Sequence, residues 1–155
     1  MLLCRLCNIS KLSASVIILF YSLTQHYESS IMSGLTQNSP RPIDIRLHQV
    51  SRLLEIKFDN NMECMLSCEF LRVYSPSAEV RGHGHGQETL QIGKEDVNIT
   101  AIEPVGNYAV KLVFSDGHDT GLYSWDYLYD LGRDYEALWL EYLGKLSIAG
   151  VKRKE

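Results

Sequence analysis

The feature that most constrains the fold is an internal echo. Ser67-Cys68-Glu69-Phe70-Leu71 and Ser124-Trp125-Asp126-Tyr127-Leu128 share a serine, an acid two residues on, an aromatic and a leucine, at a spacing of 57 residues. In both copies the serine suits a helix N-cap and the acid falls where the helix dipole favours negative charge. The aromatic and leucine need burial. Each copy also follows a stretch in which apolar residues alternate with period two. Ile43, Ile45 and Leu47 lead into Leu53 to Phe58, a turn at Asp59-Asn60-Asn61, and a return strand from Met62 to Leu66. In the second copy Val97, Ile99 and Ala101 precede a turn at Pro104 to Asn107. Tyr108, Val110, Leu112 and Phe114 then alternate up to a turn at Ser115-Asp116-Gly117, and Thr120 and Leu122 continue the pattern. Such alternation predicts half-buried antiparallel strands, and Asn, Asp and Gly are the residues that tolerate the positive φ of a hairpin turn. The expected class is α+β, with antiparallel β-hairpins and short helices arranged as a hairpin-helix unit repeated twice.

The sequence closes on its clearest helix. Asp134 is the expected N-cap, Gly150 the stop, and Leu138, Trp139, Tyr142, Leu143 and Leu146 form one apolar stripe. That amphipathic helix should pack on the sheet, with Trp139 and Tyr142 as core residues rather than a ligand box.

With 155 residues, 45% of them hydrophobic, the chain can bury one core without staples. Residues 1–31 are read as a leader, disordered or outside the native chain, with translation starting at Met32. Residues 32–42 form a flexible lead-in, 43–150 the folded domain, and 151–155 a basic tail. The apolar run Val16 to Tyr21 is far short of the roughly 20 residues a membrane-spanning helix needs, and no small-residue cleavage site follows it. A net charge of −4 argues against a nucleic-acid surface. Four unevenly placed cysteines make no disulfide framework, so a reducing cytoplasm is expected.

Candidate chemistry concentrates between Leu71 and Gly86. There a Ser-Pro-Ser turn and Glu79 precede His83 and His85, set among Gly82, Gly84 and Gly86. Two histidines one residue apart project to the same side of an extended chain, and imidazole suits iron, zinc, nickel or copper. His118, in the second hairpin turn, is the third candidate ligand, with Glu79 or Asp119 as an oxygen donor. Surface loop residues without a ligand are the competing reading. Cys4, Cys7, Cys64 and Cys68 could be assembled into a zinc site, but buried structural thiols are the simpler account of the last two. The Gly82 to Gly86 run lacks the helix that a dinucleotide loop must open into, and no nucleophile stands beside a base in the sequence.

Four ordered blocks carry a family resemblance. They are Leu71-Arg72 with Ser75-Pro76-Ser77-Ala78-Glu79-Val80 and Gly82-His83; Ile102 to Ala109; Phe114-x-Asp116-Gly117-His118-x-Thr120-Gly121; and Trp125-x-Tyr127-Leu128. Together they resemble the gamma-butyrobetaine hydroxylase-like N-terminal domain, over about residues 43 to 150. In the hydroxylases this domain precedes an iron- and 2-oxoglutarate-dependent catalytic domain, so the resemblance implies no catalysis by this chain itself. It also implies a zinc held by three cysteines and one histidine. The histidine corresponds to His118, but the cysteine positions fall at Ser75, Ser77 and Val80, so the hydroxylase zinc site is not expected here. Fusion of the family to P-loop iron-sulfur carriers implies a link to iron-sulfur or metal metabolism. The expected function is a small non-catalytic accessory or interaction module. Its protein partner is an iron-sulfur carrier or oxygenase-type protein, and its binding surface comprises Arg72, Ser75, Ser77, Glu79, Asp116 and Asp119. The alternative is an iron- or zinc-binding domain using His83, His85 and His118. In that case His118 should lie against the segment from Ser75 to Val80. No cofactor is expected to be needed for folding, and neither nucleic acid nor membrane is expected as a partner.

Overall fold

The computed structural model describes residues 40–82 and 88–154. Strands β1 (Pro42–His48), β2 (Leu53–Phe58) and β3 (Glu63–Ser67) form one antiparallel meander and lead into helix α1 (Cys68–Val73) and the single turn α2 (Ala78–Arg81). A second meander, β4 (Ile99–Val105), β5 (Ala109–Phe114) and β6 (Leu122–Ser124), leads into α3 (Trp125–Arg133) and α4 (Tyr135–Ile148). The fold is α+β, and the repeated unit is three strands and a helix. Among the described residues no helix is long and apolar enough to cross a membrane.

The repeat extends to individual hydrogen bonds. Ser67 and Ser124 both cap their helices through the side chain, accepting from the amides of Phe70 (3.1 Å) and Tyr127 (3.2 Å). The Cys68 amide donates to the Arg52 carbonyl at 2.9 Å, and the Trp125 amide to the Tyr108 carbonyl at 3.0 Å. Both hairpins close alike. Phe58 N–H donates to Met62 O and Asn61 N–H to Phe58 O; Phe114 N–H donates to His118 O and Gly117 N–H to Phe114 O. Asn61 (φ 65°) and Gly117 (φ 84°) occupy the left-handed position that such a bulged turn requires.

The two return strands then diverge. In the first meander Ile56 faces Cys64 and Leu54 faces Leu66, all buried, so parity runs unbroken from the turn. In the second, the closing bonds set Phe114 opposite His118, which would place Val110 opposite Leu122. The observed partners are Val110 with Tyr123 and Lys111 with Leu122. One extra residue therefore lies between His118 and Leu122, and a one-residue slip moves every later side chain to the other face. This corrects the expected continuation through Thr120 and Leu122: both are exposed, and Tyr123, fully buried, points inward instead.

Each half seats its helix on the other half's strands. Tyr129 of α3 meets Phe58 of β2 edge-on with ring centroids 5.2 Å apart, and Asn60 in the first turn donates to its hydroxyl at 3.0 Å. In the opposite direction Tyr123 of β6 donates its hydroxyl to the Leu71 carbonyl of α1 at 2.7 Å, and Arg72 of α1 donates to Asp116 in the second turn.

Helix α4 closes the core through Leu138, Tyr142 and Leu146, spaced four apart as the stripe requires. Tyr142 and Leu146 cluster with Val73, and Trp139 and Leu143 pack around them half-buried. Phe70, fully buried, meets the rings of Tyr74, Tyr135 and Trp139 at 4.9, 4.7 and 6.2 Å. Asp134 stands at the expected N-cap but makes no capping bond, because its carboxylate is occupied by the Arg133 guanidinium. Gly150 ends the helix as expected. At φ 69° it lets its own amide reach Ser147 O and the Val151 amide reach Leu146 O, a Schellman closure.

Candidate functional site

The corner that receives His118 is built from four segments. The turn at Asp116-Gly117 sets His118 opposite Phe114 and therefore inward, where its side chain is 3% exposed. The C-terminal end of α1 supplies Arg72, the linker to α2 supplies Ser75 and Ser77, and α2 supplies Glu79. His118 Nε2 lies 2.7 Å from Ser75 Oγ, and Nδ1 lies 3.2 Å from Glu79 Oε2. Both ring nitrogens are therefore engaged. The expected meeting of His118 with the Ser75 to Val80 segment is present in the geometry. His83 and His85 lie outside the described residues.

A second network supports the first. Asp116 accepts from Arg72 Nε at 2.9 Å and from Lys94 Nζ at 2.7 Å, and its other oxygen accepts from the His118 amide at 3.3 Å. Arg72 also donates to Gln91 Oε1 at 3.1 Å. Burial works to raise the Asp116 carboxyl, yet Lys94, Arg72 and the His118 amide together hold it below the usual carboxylate range. Burial, aided by the Arg72 charge, pushes the His118 imidazole down against the opposing pull of Glu79, so the neutral ring is favoured.

Arg72, Ser75 and Ser77 were expected on a binding surface, and the structure corrects this: they are 7%, 1% and 4% exposed. The cause is that the chain turns inward after α1 to meet the second hairpin, where Arg72 bonds Asp116 and Ser75 bonds His118 instead of water, while the buried Ser77 hydroxyl has no hydrogen-bond partner among the described residues. Glu79 and Asp119 do face solvent, with side chains 67% and 52% exposed, while the Asp116 side chain is 19% exposed beneath Lys94. Sequence reasoning missed Gln91, Lys94 and Gly121. The last is a packing requirement: a Cβ there would fall onto Ser75 Oγ and lie 3.2 Å from Tyr123 Cε2. Its counterpart in the first half is Cys64, which packs instead against Gly132 of α3.

A hydroxyl, imidazole and carboxylate in series have the connectivity of a hydrolase triad, but the exposure is inverted. In such a triad the acid is buried and the serine meets substrate; here Ser75 is buried and Glu79 is exposed. The relay fastens α2 to the second hairpin. The zinc implied by the family resemblance does not fit this corner either. Serine hydroxyls and the buried Val80 side chain stand where thiolates are needed, and His118 has no free nitrogen. Cys64 and Cys68 are buried free thiols elsewhere, and burial pushes Cys64 up to about 11. Among the described residues no three His, Cys, Asp or Glu side chains converge as a metal site.

The depressed His118 value fixes a pH dependence. The unfolded chain takes up a proton near pH 6.5 that the folded corner resists, so stability is full above about pH 6.5 and falls as pH drops toward the lower folded value. Urea midpoints measured from about pH 8 to about pH 5 should decline, and His118→Gln should flatten that decline. An equal decline in both proteins would remove His118 as its source. Asp116, also depressed, adds a further loss only below about pH 4.

Fold and site together define a small α+β domain of two interlocked strand-helix halves with one buried polar corner. The chain belongs to the family described as gamma-butyrobetaine hydroxylase-like, N-terminal, whose model matches residues 45–129. Two proteins with NMR solution structures are similar to it over most of their length. One is 55% identical, covering 78% of this chain and 90% of that one, and the other 46% identical, covering 76% and 92%; both have a TM-score of 0.66. A crystal structure of a DUF971-family protein of unknown function from Acidithiobacillus ferrooxidans is 38% identical, covering 59% of this chain and 92% of that one, with a TM-score of 0.51. No curated protein matches the chain.

Proposed function

We propose that this chain is a small non-catalytic interaction module of the cytoplasm that serves a protein partner in iron-sulfur or metal metabolism. The observation that carries the reading is the closed relay. The Ser75 hydroxyl and one Glu79 oxygen engage both ring nitrogens of the buried His118, so the supported role is an exposed face that includes Glu79 and Asp119 rather than a reactive centre. The two buried free thiols are consistent with a reducing compartment. The link to iron-sulfur carriers comes from the family resemblance alone. The alternative is metal binding by His83, His85 and His118, and it requires His118 to release Ser75 or Glu79.

Both readings are tested in one NMR experiment on the isotope-labelled chain. Addition of a purified P-loop iron-sulfur carrier should shift amides around Glu79, Asp116 and Asp119, and Glu79→Arg should weaken binding at least about tenfold. Shifts confined to the histidines on adding iron(II), with none on adding the carrier, would put the metal-binding reading in its place.

A further inference from the structure

We propose that Glu69 and Trp139 form a receptor for an arginine side chain, occupied here by the chain's own Arg153 and open to exchange with an arginine of a partner polypeptide. Glu69 sits in the first turn of α1 and is only 5% exposed, a position carboxylates almost never take unless paired. Its side-chain partner is Arg153, which donates from Nε at 3.0 and 3.2 Å and from Nη2 at 2.6 Å. The same guanidinium lies 5.5 Å from the Trp139 ring centroid. A carboxylate that takes a planar fork of donors, beside an aromatic face, selects guanidinium over ammonium.

The occupant is the exchangeable part. Arg153 lies beyond the Gly150 stop, outside any helix or strand, and its side chain is 36% exposed. Its neighbours hold it through Val151 on the apolar cluster, the Lys154 amide on Glu95 at 3.1 Å, and a solvent-facing Lys154 to Asp96 pair at 3.5 Å. Beside the ion pair opens a cleft of about 320 Å³ lined by Arg52, Ser67, Glu69, Glu95 and Arg153. An incoming side chain thus has an approach that leaves the core in place, with Glu95 as a second carboxylate on the way. The pocket belongs to one half of the repeat only: Asp126, the counterpart of Glu69, has no ion pair among the described residues.

This inference rests on the interaction-module reading for its partner, but its test uses a small molecule, so failure here leaves the carrier titration standing. The full chain and Arg153→Ala are titrated with Nα-acetyl-arginine amide, with Nα-acetyl-lysine amide as control. The readouts are the Trp139 indole resonance, with Trp125 as internal reference, and the thermal midpoint. Arg153→Ala leaves a buried carboxylate unpaired and should lower the midpoint by roughly 10 °C. Millimolar arginine analogue should shift Trp139 in the variant and restore part of the midpoint. The lysine analogue should need at least about tenfold more, as should the wild type, whose pocket is filled. Adding Glu69→Gln should abolish the response. An unmoved Trp139, or equal action by lysine and arginine analogues, would overturn the proposal. Should Arg153→Ala not fold, Arg153→Lys keeps the charge without the fork and gives the same competition at Trp139.

Discussion

Phe70→Ala should be the most damaging single truncation, costing about 4 kcal/mol and roughly 15 °C of thermal midpoint. Phe70 is fully buried, and its ring joins α1 to α4 by meeting Tyr74, Tyr135 and Trp139 at once. Truncation removes the transfer energy of the ring and leaves a cavity between two helices whose backbones are fixed by other contacts. The Tyr74 hydroxyl is tied to the Leu138 carbonyl at 2.6 Å and the Tyr142 hydroxyl to the Gln91 carbonyl at 3.0 Å, so neither helix is free to collapse into the space. Phe70→Leu, which keeps most of the volume, should lose less than half as much. Comparable losses for the two variants, read from chemical unfolding, would show that ring contacts beyond bulk burial dominate this position.

The second large effect is expected at Gly121. A side chain there meets Ser75 Oγ, Pro76 Cδ and Tyr123 Cε2 together, and Gly121→Val should cost about 3 kcal/mol or more through overpacking. The equivalent corner solves the same geometry the other way round, with the side chain of Cys64 on strand β3 and the glycine, Gly132, in the last turn of helix α3. Gly121→Ala combined with Ser75→Gly should therefore be less harmful than the sum of the single changes, by at least about 1 kcal/mol. Ser75→Gly alone forfeits the bond to His118, so the cycle needs all three variants. Additive losses would mean that the clash is relieved elsewhere and that the two corners are not equivalent.

The fold was legible where the governing interactions are local. Period-two alternation placed β2, β3 and β5, and the two serine caps placed α1 and α3, because a cap and a hairpin turn are decided within a few residues. The parity of β6 was not legible. A single extra residue between His118 and Leu122 leaves the local pattern plausible while exchanging Leu122 for Tyr123 in the core. Nor did the sequence reveal that Arg72, Ser75 and Ser77 are buried, since the partners of Arg72 and Ser75 lie 19 to 44 residues away in Gln91, Asp116 and His118, and Ser77 is carried inward with them. Polar residues in a loop-like stretch read as surface until the segment that covers them is known. The inward placement of His118 could have been counted from the bulged turn, which sets it opposite the buried Phe114.

The exchange of helices between the halves has a consequence for how the molecule comes apart. Tyr129 rests on Phe58, and Leu71 and Arg72 are held by the second meander, so removing either half strips the apolar cover from both sheets. No partly folded species that keeps one meander with its own helix retains a sealed interior. Cooperativity is thus imposed by the wiring, and local fraying cannot deepen without losing both halves together. The arrangement is the one that two single strand-helix units would adopt as an intertwined pair, with the Arg81 to Val97 connection turning a bimolecular association into an intramolecular one.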